Sequence, residues 1–219
     1  DGYEADDVIG TLAKKAEQEG FEVYMMTPDK DFGQLVSDNI RMVRPARSGD
    51  KAEVLGVEEI CKKYGIERPE QLIDILGLWG DASDNIPGVP GIGEKTAGKL
   101  IAEFGSIENL LENTAGLKGK MKENLEEYRE QALMSKQLAT IILDVPIVFE
   151  PDMLKNVDPD REALKALFSE LEFRNFASRV FGKDEEGKEE NAGGEEGPSG
   201  SDLFSSAGVE VEETKMLTL

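Results

Sequence analysis

The 219-residue sequence contains no histidine, one cysteine and one tryptophan. Without histidine, Ser-His-Asp and Cys-His mechanisms and His-ligated metal sites are excluded. With Cys61 as the lone cysteine, disulfide frameworks and cysteine-rich zinc sites are excluded too, and a reducing compartment is compatible with the chain. No apolar run approaches 18 residues, so no membrane span is expected. No N-terminal stretch reads as a signal peptide. Positive charge is scarce: 25 Lys and Arg stand against 46 Asp and Glu, a net of −21. In bulk, that balance argues against nucleic acid, whose phosphates favour basic surfaces. What is present is a hydrophobic fraction of 39%, modest but enough for a core.

The charge is unevenly spread. Residues 183–219 hold eleven acids and three bases among Gly, Ser and Asn, a net of −8, and leave −13 for residues 1–182. Such a segment has little to bury and reads as a flexible acidic linker. Its weakly apolar end, from Val209 to Leu219, reads as the start of a further domain. At the other end the chain enters a patterned helix almost at once, so a fragment of a larger protein is expected.

Ala5, Val8, Ile9, Leu12, Ala13 and Ala16 recur at helical spacing until Gly20. Phe21 to Met26 is nearly continuous in apolar residues, as in a strand buried on both faces of a parallel sheet. A short helix over Asp31–Val36 and a second strand over Ile40–Val43 follow. This alternation predicts α/β units with a parallel sheet. From residue 57 the pattern is helical: Val57–Tyr64, Pro69–Trp79, Glu94–Phe104, Ile107–Glu112, Lys118–Ile142 and Arg161–Leu171, with a short strand over Ile147–Phe149. The expected organisation is an α/β core over 1–79, a helical subdomain over 80–182 and the acidic linker over 183–219.

Four constellations carry chemistry. Glu4, Asp6 and Asp7 occupy the first turn of the first helix. At about 100° per residue they do not share one face, but they can converge on an ion beyond the helix end. The alternative is that they complement the helix dipole. Asp29 and Asp31 flank Lys30 just after the first strand, where α/β sheets place ligands. Two such acids suit a hard cation, or else Asp31 caps the next helix. Asp81 and Asp84 lie three apart in Gly80–Asn85, as ligands or as a turn cluster.

The fourth constellation, Ile86-Pro87-Gly88-Val89-Pro90-Gly91-Ile92-Gly93-Glu94-Lys95-Thr96-Ala97, is the most specific. Its glycines allow close backbone approach, and the helix beginning at Glu94 offers free N–H groups to an anion. Lys95 and Lys99 share one face of that helix. This describes a helix-hairpin-helix, which holds a nucleic-acid backbone by its phosphates. Its alternative is an ordinary Gly-rich helix connection. By contrast Lys118, Lys120 and Lys122 read as a solvated face, Cys61 as a packed helical residue and Trp79 as a core anchor.

Taken jointly, seven carboxylates ahead of a phosphate-cradling hairpin make sense if divalent cations neutralise them. Two metals about 4 Å apart can activate a water and stabilise the leaving oxygen of a phosphodiester. The order Gly2-Tyr3-Glu4-Ala5-Asp6-Asp7, Thr27-Pro28-Asp29-Lys30-Asp31 and Gly80-Asp81-Ala82-Ser83-Asp84-Asn85 through Gly93 resembles the 5′-nuclease domain of the bacterial DNA polymerase I family, in the flap-endonuclease superfamily. The resemblance covers roughly residues 1–182. It implies a partial PIN-like parallel-sheet nuclease core followed by an all-helical helix-three-turn-helix subdomain. It also implies 5′-flap and RNA-primer removal dependent on Mg²⁺ or Mn²⁺. Glu4, Asp6 and Asp7 would serve a first metal region, and Asp29, Asp31, Asp81 and Asp84 a second. Gly88, Val89, Gly91, Ile92, Gly93, Lys95, Thr96 and Lys99 would grip duplex DNA, with K⁺ held by hairpin carbonyls. The implied partners are flapped, nicked or primer-bearing DNA, and polymerase and proofreading-like domains of one parent chain in a bacterial cytoplasm.

One departure stands out. The family's first strand, with its metal-binding Asp, and its arch have no counterpart before Glu4. The fragment alone is therefore expected to have little nuclease activity. Two rivals remain: a non-catalytic helix-hairpin-helix DNA-binding module, in which the acids are only caps, and a small-molecule phosphohydrolase, which leaves the hairpin without a purpose.

Overall fold

The computed structural model describes residues 2–46 and 51–182. The chain divides into two compact units, the first running to Leu154 and the second starting at Lys155. The stretch expected to be a linker, 183–219, lies outside the described residues.

In the first unit, α1 (Ala5–Gln18) forms where its spacing predicts, but the buried face is turned from the expected one: Gly10, Thr11, Ala13 and Ala16 are buried, whereas Ala5 and Ile9 are exposed and Val8 and Leu12 only half-buried. Strand β1 (Val23–Met26) pairs in parallel with β2 (Ile40–Arg44), Val23 opposite Ile40 and Met26 opposite Val43. They are joined through a 3₁₀ turn over Lys30–Leu35, the short helix expected there. A third strand, β3 (Glu53–Leu55), corrects the all-parallel expectation: it runs antiparallel to β2, giving the order β1-β2-β3. Three residues with one buried side chain carry too little pattern to be read as a strand.

Helix α2 (Val57–Tyr64) ends at Gly65 in the left-handed region, as anticipated. After a 3₁₀ turn over Pro69–Gln71 comes α3 (Leu72–Trp79), in which Leu72, Ile75, Leu76 and Leu78 are completely buried. It packs against α4 (Glu94–Phe104) and α7 (Arg129–Ala139), with α5 (Ile107–Glu112) and α6 (Gly119–Glu127) completing the layer. The single helix expected over Lys118–Ile142 is two helices, because Tyr128 leaves helical geometry with ψ of 23°.

A second correction concerns Ile147–Phe149, which is not a strand. The chain beyond α7 lies as a strap on α1, held by side chains instead of a ladder. The Ile142 N–H donates to Asp7 Oδ1 (2.8 Å), the Val145 N–H to the Thr11 hydroxyl, and the Lys15 ammonium to the Ile147 carbonyl. Gln34 reads the strap's beginning from both sides, donating to the Ala139 carbonyl and accepting from the Ile141 N–H. Ile141 and Phe149 then join Ala13, Val23, Phe32 and Ile40 in one core cluster, while a larger cluster is centred on α3.

Within the second unit, α8 (Arg161–Glu170) matches the expected helix. An α9 (Arg174–Phe181) also forms, gathering Phe173, Phe176 and Phe181 around Phe168.

Candidate metal centre and nucleic-acid interface

The carboxyl end of β1 feeds directly into Thr27-Pro28-Asp29. The Asp29 N–H donates to the Thr27 hydroxyl, and Asp29 Oδ1 accepts from the Asp31 N–H at 3.0 Å. This local turn starts the 3₁₀ helix and turns Asp31 inward, where it is 7% exposed. Asp81 arrives from the far side, at the end of α3. Its backbone pairs with Ile86 in both directions, closing a small loop over 82–85 with Asn85 at a φ of 58°. Asp81 is buried and Asp84 exposed at the rim of that loop.

One oxygen from each of Asp31, Asp81 and Asp84 lies within 4.8 Å of the others. Among the described residues, this is the carboxylate triplet compact enough to chelate one ion. Oxygen donors only, spread across two segments, suit a hard divalent cation. Asp31 Oδ1 is buried and accepts no well-formed hydrogen bond, its charged neighbour being the Lys30 ammonium at 3.3 Å, so it keeps lone pairs a cation can use.

The electrostatics agree. Burial pushes the Asp31 carboxyl up to about 6, with Lys30 opposing and the Asp29 charge adding to it. Burial would raise Asp81 as well, but hydrogen bonds from Lys30 and then Ser83 outweigh it and hold the group at about 2. Asp6 is raised, first by burial and then by the charges of Asp29, Glu4, Asp84 and Asp7. Asp6 and Asp29 also line one cavity of about 240 Å³ with Ile9, Tyr24 and Met26. The first-helix acids and the triplet thus share one electrostatic field.

The acids of the first helix differ from one another. Glu4 is exposed and Asp6 half-buried. Both Asp7 oxygens are committed to backbone: Oδ2 accepts from the Glu4 N–H (3.0 Å) and Oδ1 from Ile142. Asp7 therefore caps α1 and pins the strap.

The hairpin continues from the same loop. Gly88, at a φ of 59°, sits buried against Gly80, while Gly91 and Gly93 are exposed. No side chain caps α4, and a side chain built at Gly93 would meet nothing within 4 Å, so this helix end is open to an anion. Lys95 and Lys99 are exposed and Thr96 is half-buried, whereas Val89 and Ile92 face the core. Three side chains that sequence reading missed hold the hairpin from behind. Ser135 Oγ accepts from the Gly88 N–H (3.1 Å), Gln131 donates to the Gly88 carbonyl (2.7 Å) and Asn124 to the Pro90 carbonyl (2.7 Å). The available signal was Ser135, a polar residue on the inner face of an amphipathic helix.

Trp79 packs at the edge of the larger core, as read. Cys61 packs there too, its thiol pushed up by burial and then by Glu70, which disfavours a thiolate.

Residues 1–65 match the family model "5'-3' exonuclease, N-terminal resolvase-like domain", and residues 67–162 match "5'-3' exonuclease, C-terminal SAM fold". The DNA polymerase I of Bacillus subtilis is 49% identical over 179 residues, covering 81% of this chain and 20% of that protein. The thermostable DNA polymerase I of Thermus thermophilus is 46% identical over 173 residues, covering 78% and 20%. The chain thus spans about a fifth of the length of these curated relatives. Among solved structures, T5 5′-exonuclease with bound zinc is similar at a TM-score of 0.57 and 25% identity, over 64% of this chain and 51% of that one. The T5 flap endonuclease in a complex with DNA and metal ions is similar at a TM-score of 0.55, with 25% identity over 65% of this chain and 50% of that one. With an oxygen-only carboxylate centre and an open hairpin on an α/β core, and with both halves matched by its models, this chain belongs to the 5′-3′ exonuclease family.

Proposed function

We propose that the chain supplies the metal-binding and DNA-gripping parts of a 5′→3′ exonuclease and 5′-flap endonuclease that removes flaps and RNA primers in replication and repair. The observation that carries this reading is the single loop over 80–93. One end presents Asp81 and Asp84 to Asp31, and the other presents Gly91, Gly93 and the α4 end to solvent. A duplex backbone held at the hairpin is thereby set at a fixed distance along the chain from the carboxylates.

Asp31, Asp81 and Asp84 would hold a divalent cation, Mg²⁺ or Mn²⁺, with Asp29, Asp6 and Glu4 toward a second. Bound there, such ions supply an activated water and charge stabilisation for the leaving oxygen. The chain's own part is positioning. Asp29 fixes Asp31 through its N–H, Ser83 fixes Asp81, and α4 with Lys95 and Lys99 takes up phosphate charge without reading bases. For K⁺ the fit is poorer, because the Gly88 and Pro90 carbonyls already accept side-chain amides, and no step is assigned to it. In this reading the partners are flapped, nicked or primer-bearing DNA and the polymerase and proofreading-like domains of a parent chain.

The test is a graft of residues 1–182 in place of the matching segment of the Bacillus subtilis polymerase, assayed for 5′-flap cleavage in Mg²⁺. Asp84→Ala in the graft should lower the rate at least about 100-fold, since the residue is a direct ligand and not only its support. Cleavage by the substituted graft at the unsubstituted rate would sink the ligand assignment. On the chain itself, Lys95→Ala and Lys99→Ala should each weaken flap-DNA binding. Each should also flatten the dependence of log affinity on log salt by about 1. A slope that stays unchanged in both variants would remove α4 from the interface.

A further inference from the structure

Lys30 lies inside the carboxylate centre. Its ammonium is ion-paired with Asp81 and sits 3.3 Å from Asp31 Oδ1, so it touches the two buried members of the triplet at once. It also lies 5.6 Å from the centroid of the Trp79 ring, and its side chain is only 25% exposed. This is an unusual place for a strongly hydrated point charge, and the energetics give a reason for it. Three carboxylates brought within 4.8 Å repel one another unless a cation stands among them. In the chain without a divalent ion, that cation is Lys30. The pair also ties together parts of the chain far apart in sequence, because Asp81 closes the loop after α3 while Lys30 opens the 3₁₀ turn after β1.

An ammonium seated among these carboxylates competes with a divalent ion for their oxygens. A divalent ion needs their oxygens at about 2.0–2.6 Å and its own coordination shell. Lys30 has a flexible four-carbon stem, so its head can leave while its backbone stays fixed beside Asp31.

We infer that Lys30 is a tethered placeholder cation: it holds the centre together before metal arrives and swings away from Asp31, Asp81 and Trp79 when the ion enters. The inference rests on the metal reading of the triplet. It makes the protein's affinity for metal a difference between ion binding and Lys30 release, so the lysine sets the ion concentration at which the centre fills. It also provides a reporter. Trp79 is the sole tryptophan of the 219 residues, and removing a cation from its ring should change its emission.

The experiment uses the 219-residue chain stripped of metal, with Mn²⁺ affinity read from the electron paramagnetic resonance of the free ion and Trp79 emission read during an Mg²⁺ titration. The expected results form a set. Lys30→Gln binds Mn²⁺ about tenfold more tightly than the parent, because no ammonium has to be displaced. Its Trp79 emission no longer responds to Mg²⁺, and without metal it melts below the parent. Lys30→Arg keeps the charge, and so keeps the metal-free melting point and binds Mn²⁺ no more tightly than the parent. If Lys30→Gln shows the parent's affinity and the parent's emission response, the placeholder role is overturned while the metal centre stands. If Mn²⁺ binds neither chain, the metal reading falls and takes this inference with it.

Discussion

Replacing Gly88 by alanine is expected to cost the chain about 4 kcal/mol or more and to abolish flap-DNA binding by the folded remainder. A Cβ at this position would stand 2.5 Å from the Gly80 nitrogen and 2.6 Å from the Trp79 carbonyl carbon. Both are backbone atoms, one at the end of α3 and the other just past it, so neither can rotate away as a side chain could. The φ of 59° adds the strain of a left-handed residue carrying a side chain, about 1 kcal/mol. Relief would require Gly88 to lift off α3, which breaks the bonds from its N–H to Ser135 and from Gln131 to its carbonyl. The same move would carry the adjacent Asp81–Ile86 loop with it.

Gly91 provides the control. It also has positive φ, of 80°, but the nearest atom to an added Cβ is the Asn124 amide at 3.5 Å. Gly91→Ala should therefore lose only the backbone strain, about 1 kcal/mol. Urea unfolding of the two variants makes the comparison. Equal midpoints for Gly88→Ala and Gly91→Ala would show that the close approach to α3 has been misjudged.

This contrast bears on what the sequence could reveal. The Gly-rich run announced a tight, open hairpin, but four glycines in a row of fourteen residues look alike on paper. Only the packed structure separates Gly80 and Gly88, which serve backbone contact, from Gly91 and Gly93, which leave space for a ligand. The same limit applies to the acids. Spacing identified Asp81 and Asp84 as able to share a side of one turn, and Asp31 as lying at the end of a strand. Their convergence depends on α3 ending beside the turn that follows β1, a long-range consequence of its buried Leu72, Ile75, Leu76 and Leu78. Asp7 looked like its neighbours Glu4 and Asp6, because what sets it apart is a strap 135 residues away that takes one of its oxygens. Lys30 was visible between two aspartates, but its stem could have pointed to water.

Among the elements, those with long apolar periods were legible: α1 to α5, β1 and β2. Those decided by tertiary contacts were not. β3 exists because β2 offers it an edge, Tyr128 breaks a run whose composition is uniformly helical, and within Ile147–Phe149 it is Phe149 that packs on Phe21 and the α1 cluster, without pairing as a strand, while Val148 is exposed.

The net charge of −21 also changes meaning. Read in bulk it spoke against nucleic acid, yet residues 183–219 carry a net −8 of it, and a further group is concentrated at one centre. A cluster that opposes DNA when empty attracts it once cations bridge carboxylate and phosphate. Its cost to the fold should then be measurable.

Asp31→Asn should make the metal-free chain more stable, by about 1–3 kcal/mol at pH 8, while removing cleavage in the grafted polymerase. The Asp31 carboxyl titrates at about 6 in the fold against 3.8 for the ordinary group, chiefly because it is buried. Between those values the unfolded chain has released its proton while the folded chain still holds it. Stability therefore falls as pH rises from about 4 to about 6, and the loss is complete above that. Asparagine has no such proton to lose. The advantage of Asp31→Asn should accordingly vanish at pH 4 and reach its full size by pH 7. Asp81 runs the other way: its carboxyl is held at about 2, so it contributes stability above the ordinary range that is lost only as pH falls through that value, and it leaves the window from 4 to 6 to Asp31. A divalent ion reverses the sign for Asp31, because it binds the ionised carboxylate and so stabilises the parent in proportion to RT ln(1 + [ion]/Kd), a gain the variant forfeits. Urea unfolding with EDTA and with Mg²⁺ at both pH values separates these effects. An Asp31→Asn chain less stable than the parent at pH 8 in EDTA would mean that Lys30 already compensates the buried charge in full. Burial would then not be what raises the proton affinity of Asp31.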